Sequence, residues 1–379
     1  MSLFADDAQN TSLSAPANIR PRRRRGRFGW GALIGSLVIL GVLSAVPAPY
    51  VIEQPGPVFN VLGTVENDGD KVPLIEVHDT ETYKTTGALD MLTVQVVGNP
   101  QRSPGWLDVV SAWFDSSRAV VPMSVYYPPG VTSKQRDQQN AALMVDSQQD
   151  AVAAALRHLD YTVPEHVAVA AVSEKSPADG KLKLKDEIVS VNGTPVTGLD
   201  NLRSIIQDNG TDKAATFDIV RDGVASTVEI VPTTATAADG TTSAVVGIGT
   251  AVNYDFPVDI SIQLDNVGGP SAGMMFALGM IDKLTPGELT GGEHIAGTGT
   301  IDASGTVGGI GGIRQKMFGA KDAGADWFLA PASNCNEVVG HIPDGLKVFA
   351  VNTLDDSIAA LTAIADHGDT SKLPTCSAS

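Results

Sequence analysis

Two glycine-rich junctions set the tightest limits on how this 379-residue chain folds. In the first, the strand-like run Ile260-Ser-Ile-Gln-Leu264 passes through Asp265-Asn-Val-Gly-Gly-Pro-Ser-Ala-Gly273 into a helical pattern from Met274 to Lys283. In the second, Val307-Gly-Gly-Ile-Gly-Gly-Ile-Arg-Gln-Lys316 opens a helix that runs to about Ala323 and stops at Gly324. The apolar strand Trp327-Phe-Leu-Ala330 and Pro331 follow. Strand, tight turn and helix in succession predict an α/β arrangement whose elements approach closely at glycine. Between the junctions, Ile295-Ala-Gly-Thr-Gly-Thr-Ile301 reads as a strand with Thr298 near its middle.

The first junction places Ser271 at the start of a helix, on a turn loosened by Gly268, Gly269 and Gly273. A hydroxyl there projects from a sharp bend. The nearby N–H groups, expected at Gly268, Gly269 and Ser271, lack helical partners and suit a developing oxyanion. Taken alone, the segment also fits a glycine turn with a serine cap. Lys316 lies about one turn into the second helix. An unperturbed lysine, with a pKa of about 10.4, is protonated at neutral pH and is no base. Burial away from other charges makes it one. Taken alone, Lys316 also fits a solvated helix lysine.

The net charge of −17 is unevenly placed. Residues 1–27 carry six Arg (Arg20, Arg22, Arg23, Arg24, Arg25, Arg27) against Asp6 and Asp7, so this tail is +4 and the remainder −21. An acidic body argues against nucleic acid as a partner. After the arginines, Phe28–Val46 is nineteen residues without a charge. The run predicts a transmembrane anchor over 28–48 that inserts in the lipid bilayer. The N-terminus would be cytoplasmic and the body beyond the membrane. A signal peptide cleaved near Ala45 to Ala48 is the alternative. Beyond a membrane the surroundings are oxidising, so the two cysteines, Cys335 and Cys376, are expected to form a disulfide holding the tail at 371–379; two free thiols are the alternative. The six histidines form no HExxH motif and no CxxC is present, so no metal or other cofactor is expected. The sequence contains no GxxxxGK[ST], and no use of ATP is expected.

Residues 49–160 read as a β-rich segment followed by a long helix from Ser133 to Leu159, packed with the last unit. Residues 161–232 read as a separate module. Val167-Ala-Val-Ala-Ala-Val172 is a strand and Leu199 to Gln207 a short helix. The runs flanking Asp222-Gly223 form a hairpin. This module carries Ser176-Pro-Ala-Asp-Gly180, Lys185-Asp-Glu-Ile-Val-Ser-Val-Asn-Gly193 and Arg221-Asp-Gly223, and it resembles a PDZ domain. The resemblance implies that an extended peptide adds beside His166, Val167, Ala168 and Val169. The departure is that no G-L-G-F loop precedes Val167, where Thr162-Val-Pro-Glu-His166 stands instead. A module that only spaces its neighbours is the other reading. Thr233 to Ser243 is a polar connector, and the last unit spans about 244–370.

That last unit resembles the proteolytic domain of Lon proteases. The motifs are Gly269-Pro-Ser-Ala-Gly273, then Thr298-Gly299, then Gly311-Gly312 four residues before Lys316, and finally Ala323-Gly-Ala325 with the strand ending at Pro331. The resemblance implies a serine protease with Ser271 as nucleophile, Lys316 as base and Thr298 as a hydroxyl that orients the amine. It also implies self-association, since such domains commonly form rings. Arg314 stands where the family often has a lysine, and Gly268 where other members can place an acid. The chain is thus expected to have mixed α+β and α/β character, with one N-terminal transmembrane helix, a PDZ-like domain and a Lon-type domain. The expected activity is ATP-independent endopeptidase cleavage of unfolded or exposed protein segments. Two other readings remain: a non-catalytic PDZ scaffold, and an esterase using Ser271 with Asp355 and His367, for which about 130 residues are short.

Overall fold

A computed structural model describes residues 25–67, 69–237, 240–264 and 267–377. Most of the basic tail therefore lies outside the described residues. Arg25–Ala45 is one helix of 21 residues. Among the described residues, however, no helix is long and apolar enough to cross a membrane. The helix starts inside the arginine cluster, at Arg25, and glycines stand at positions 29, 31, 35 and 41 of the apolar run. The expected single N-terminal transmembrane helix does not stand. Nor does the single-pass location that places the last unit beyond a membrane.

Two sheets organise the rest. The first has six strands, in the order Lys347–Val351, Trp327–Pro331, His294–Gly297, Ala88–Val97, Tyr50–Asn60, Ala119–Pro122. The first four run parallel, and Tyr50–Asn60 pairs antiparallel with both neighbours. Early segments of the chain thus complete a sheet begun by late ones. Parallel strands are buried on both faces, and the side chains here alternate accordingly. Leu89, Met91, Ile295, Leu329 and Phe349 face a core shared with the helices Ser133–His158, Gly273–Leu284 and Leu354–Ala365. Leu92, Ala296, Phe328 and Val348 face the opposite core, against the helix Ile313–Asp322. The two helices opened by the glycine junctions therefore lie on opposite faces of one sheet.

The second sheet is antiparallel, in the order Val224–Ile230, Ala215–Arg221, Glu187–Val191, Glu165–Val172, Ile248–Tyr254. Its hairpin turns at Asp222 and Gly223, both at positive φ (51° and 77°), the geometry that Asp-Gly favours. The helix Leu199–Asn209 buries Leu202 and Ile206 against Val167, Val169, Ile188 and Phe217. The polar connector folds into a short hairpin, Thr233–Thr236 with Thr242–Val245. Ile248–Tyr254 then joins the second sheet, so the last unit starts later than residue 244.

Cys335 and Cys376 are joined by a disulfide across a Cα–Cα distance of 4.9 Å. The tail is held further by the Ala350 N–H, which donates to the Pro374 carbonyl at 2.8 Å. Closing a loop with a sequence separation of 41 restricts the unfolded chain by about 4 kcal/mol in the chain-entropy account. Reduction, or Cys376→Ser, is expected to lower the thermal midpoint of the last unit without changing its secondary structure. Calorimetry with and without reductant checks this, and an unchanged midpoint would contradict it.

Candidate active site

The turn that carries Ser271 owes its shape to two different uses of glycine. Gly269 has φ +88°, a conformation that side chains rarely adopt. Gly268 and Gly273 are instead required by crowding. A Cβ on Gly268 would lie 2.7 Å from the Asn140 Cβ, and one on Gly273 would lie 2.8 Å from the Ser147 Oγ. Both contacts come from the long helix Ser133–His158. Ser271 is half-buried, two residues before the helix Gly273–Leu284 begins. Of the expected oxyanion donors, Gly269 is already engaged, because its N–H donates to the Asn140 carbonyl at 2.8 Å. The N–H groups of Ser271 and Ala272 have no acceptor among the described residues. They lie at the helix start, where the dipole favours negative charge.

Lys316 reaches the same point from the other face of the sheet. Its side chain is 2% exposed, and Nζ lies 2.7 Å from the Ser271 Oγ and 2.8 Å from the Thr298 Oγ1. Thr298 sits just past the end of the strand His294–Gly297, rather than in mid-strand as its neighbours suggest. The strand breaks there because Gly299 turns back, with its N–H donating to the Ser271 carbonyl at 3.0 Å. The Thr298 hydroxyl donates its one proton to that same carbonyl at 2.9 Å. It is therefore left only to accept from Nζ. Burial alone pushes the Lys316 amine down to about 7, with no charged neighbour contributing to the shift. At neutral pH a substantial fraction is then the free amine, within hydrogen-bond distance of Oγ.

The structure brings Ser271, Lys316 and Thr298 together and leaves other candidates apart. Asp355 pairs with His158 at 3.0 Å, and His367 approaches Glu293 at 3.8 Å, so the residues an esterase would need are engaged elsewhere. No group of three or more metal-ligating side chains occurs among the described residues. The expected peptide-binding strand is displaced too. His166, Val167, Ala168 and Val169 lie in Glu165–Val172, flanked by Glu187–Val191 on one side and Ile248–Tyr254 on the other. A peptide cannot add beside a strand already paired on both edges. The His166 ring is also occupied: hydrogen bonds to Asp255 (2.8 Å) and Glu187 (2.7 Å) hold its pKa above the usual histidine range. Among the described residues this sheet has two edge strands, Val224–Ile230 and Ile248–Tyr254, and the second is the one next to Glu165–Val172. Beside it lies a groove of about 740 Å³ lined by Leu199, Leu202, Ile206, Gly247, Ile248 and Thr250. The chain enters that strand through Val246-Gly247-Ile248-Gly249, a glycine-rich stretch of the kind that is absent before Val167.

Residues 259–363 match the family described as the Lon protease (S16) C-terminal proteolytic domain, and residues 132–231 match the PDZ domain family. The chain thus carries a PDZ domain followed by a Lon-type proteolytic domain, the class of domain that carries serine-type peptidase activity. Lon protease 1 of Sorangium cellulosum is 37% identical over 94 residues, 24% of this chain and 11% of that protein. Lon protease 2 of Bacillus subtilis is 31% identical over 105 residues, 28% of this chain and 18% of that protein. The archaeal Lon protease of Methanothermobacter thermautotrophicus is 32% identical over 106 residues, 27% of this chain and 16% of that protein. The chain spans less than a fifth of the length of these curated relatives. Among solved structures, the PDZ domain of an SdrC-like protein from Listeria monocytogenes is 19% identical, with a TM-score of 0.20. That match covers 22% of this chain and 85% of that one.

The dry lysine has a consequence for stability. Its folded pKa lies below its unfolded value of 10.5, so between about 7 and 10.5 the unfolded chain binds the extra proton. Stability from this group therefore rises with pH across that window, by an amount on the order of a few kcal/mol. Lys316→Met is expected to raise stability at pH 6 and to remove this rise. Denaturant titrations at pH 6, 8 and 10 check it; parallel pH dependences in the two proteins would contradict it.

Proposed function

We propose that this chain is a serine endopeptidase that cleaves accessible peptide segments, with Ser271 as nucleophile and Lys316 as general base. The observation that carries the reading is the 2.7 Å approach of a buried, depressed-pKa amine to the Ser271 hydroxyl. In the first half-reaction the neutral Nζ takes the Oγ proton while Oγ attacks the scissile carbonyl carbon. The oxyanion is met by the N–H groups at Ser271 and Ala272. As the C–N bond breaks, the protonated Nζ returns its proton to the leaving amine, and an ester to Ser271 remains. Water then attacks that ester with Nζ again as base, which releases the acid and restores the hydroxyl. Thr298 accepts from Nζ throughout and keeps its lone pair aimed at Oγ.

Nothing in this cycle consumes a nucleotide, so turnover of an unstructured peptide proceeds without ATP. Folded proteins are poor substrates unless a segment is already exposed. The groove beside Ile248–Tyr254 recruits an extended peptide by strand addition, in place of the edge at His166–Val169.

Ser271→Ala is expected to abolish cleavage of a fluorogenic peptide, and Lys316→Met to lower kcat by about 10³-fold or more. Thr298→Val, which keeps the shape and removes the acceptor, is expected to cost roughly 10- to 100-fold. For the unmodified protein, kcat/KM should rise through one ionisation near pH 7, with or without ATP. Full activity in Lys316→Met, or a profile rising only above pH 9, would overturn the reading.

A further inference from the structure

The helix Ser133–His158 touches the nucleophile turn at two places, although it lies outside the residues matched to the proteolytic domain and within those matched to the PDZ domain. Ser147 is 3% exposed, and its Oγ donates to the Pro270 carbonyl at 2.9 Å, immediately before the nucleophile. Two turns earlier, the Asn140 carbonyl accepts from the Gly269 N–H. Residues seven apart share a helix face, so one face grips both sides of the Gly269-Pro270 bend. Gly268 and Gly273 admit that face at distances no side chain would allow.

The same helix is fastened to the PDZ-type sheet further along. Asp150 accepts from the Tyr254 hydroxyl at 2.7 Å, and Tyr254 ends the strand whose free edge borders the groove. About 15 Å beyond Ser147 along the axis, at ~1.5 Å per residue, Arg157 lies over the Tyr254 ring, 5.9 Å from its centroid. Arg157 also donates to Glu165 at 2.7 Å, where the neighbouring strand starts, and to the Ala303 carbonyl at 3.1 Å, in the loop behind Thr298. A single rigid element therefore contacts the nucleophile turn with one part and the groove-bearing strand with another.

We propose that the helix Ser133–His158 couples the PDZ-type sheet to Ser271, with Ser147 as the positioning residue that holds the nucleophile turn in its reactive geometry. The inference rests on the peptidase reading above and concerns the regulation of that site. Ser147 contacts neither the amine nor a substrate. Its loss changes how often Oγ is aligned, and it leaves the burial of Lys316 and the affinity for peptide as they were. Tyr254 acts on the same turn through Asp150.

The test compares the unmodified full chain with Ser147→Ala, Tyr254→Phe and the double variant, using a fluorogenic peptide and a serine-reactive fluorophosphonate. Ser147→Ala is expected to lower kcat about tenfold or more and to slow fluorophosphonate labelling equally. KM and the apparent pKa near 7 should not move. Tyr254→Phe is expected to lower kcat several-fold in the same pattern. The double variant should fall no further than Ser147→Ala, because both substitutions break one linkage. A general loss of folding would instead move the thermal midpoint, KM and the pH profile together, and that outcome would overturn the proposal. Unchanged kcat in Ser147→Ala, unchanged kcat in Tyr254→Phe, or fully additive losses would overturn it as well. An unmodified chain that neither cleaves nor labels would remove the peptidase reading itself, and this inference with it.

Discussion

The structure depends on keeping one amine dry. Lys316 is 2% exposed, and among the described residues the hydrogen-bond partners of its amine are two hydroxyls, those of Ser271 and Thr298. Burying an ammonium is unfavourable unless it is paired with an anion or loses its proton. No carboxylate is supplied here, so the amine responds by losing its proton more readily. The same burial that disfavours the ammonium lowers the Lys316 pKa to about 7. The surrounding fold supports this. Helices on opposite faces of a parallel sheet bring Ser271 and Lys316 to the carboxyl end of His294–Gly297, where Thr298 lies between them. Reactive groups in α/β sheets gather at such strand ends because the strand direction is shared there and the loops diverge.

Much of this site was legible in the order of the residues. Gly269-Pro270-Ser271 reads as a sharp turn, and Lys316 follows a second glycine junction. What spacing does not reveal is how protons are allocated. The residues around Thr298 read as a strand, yet the strand ends at Gly297 and the Thr298 hydroxyl donates to the Ser271 carbonyl. Gly269 looks like an oxyanion donor until Asn140, more than a hundred residues away, takes its N–H. Long-range contacts of this kind leave no local pattern.

The peptide edge was misplaced for a similar reason. The alternation over Val167–Val172 correctly signals a strand, but alternation does not say which neighbours pair with it. Ile248–Tyr254 returns across the Thr233–Val245 hairpin to cover that edge and exposes its own. Strand order is a property of topology, and a sequence that reads well strand by strand can still leave it open. At the N-terminus, the absence of charge over 28–46 suggested a membrane span. Among the described residues, however, no helix is long and apolar enough to cross a membrane.

Early and late segments share one sheet, and the helix Ser133–His158, grouped with one unit, hydrogen-bonds to the turn before Ser271 in the other. That arrangement matters only if the amine at its centre is neutral when the protein works. The most direct measurement is a ¹³C NMR titration of the lysine ε-carbons in the full chain, with Lys316→Arg to assign the signal. The account requires one lysine resonance to titrate near pH 7 and to vanish in that variant. A Lys316 signal that titrates with the others near 10.5 would contradict it.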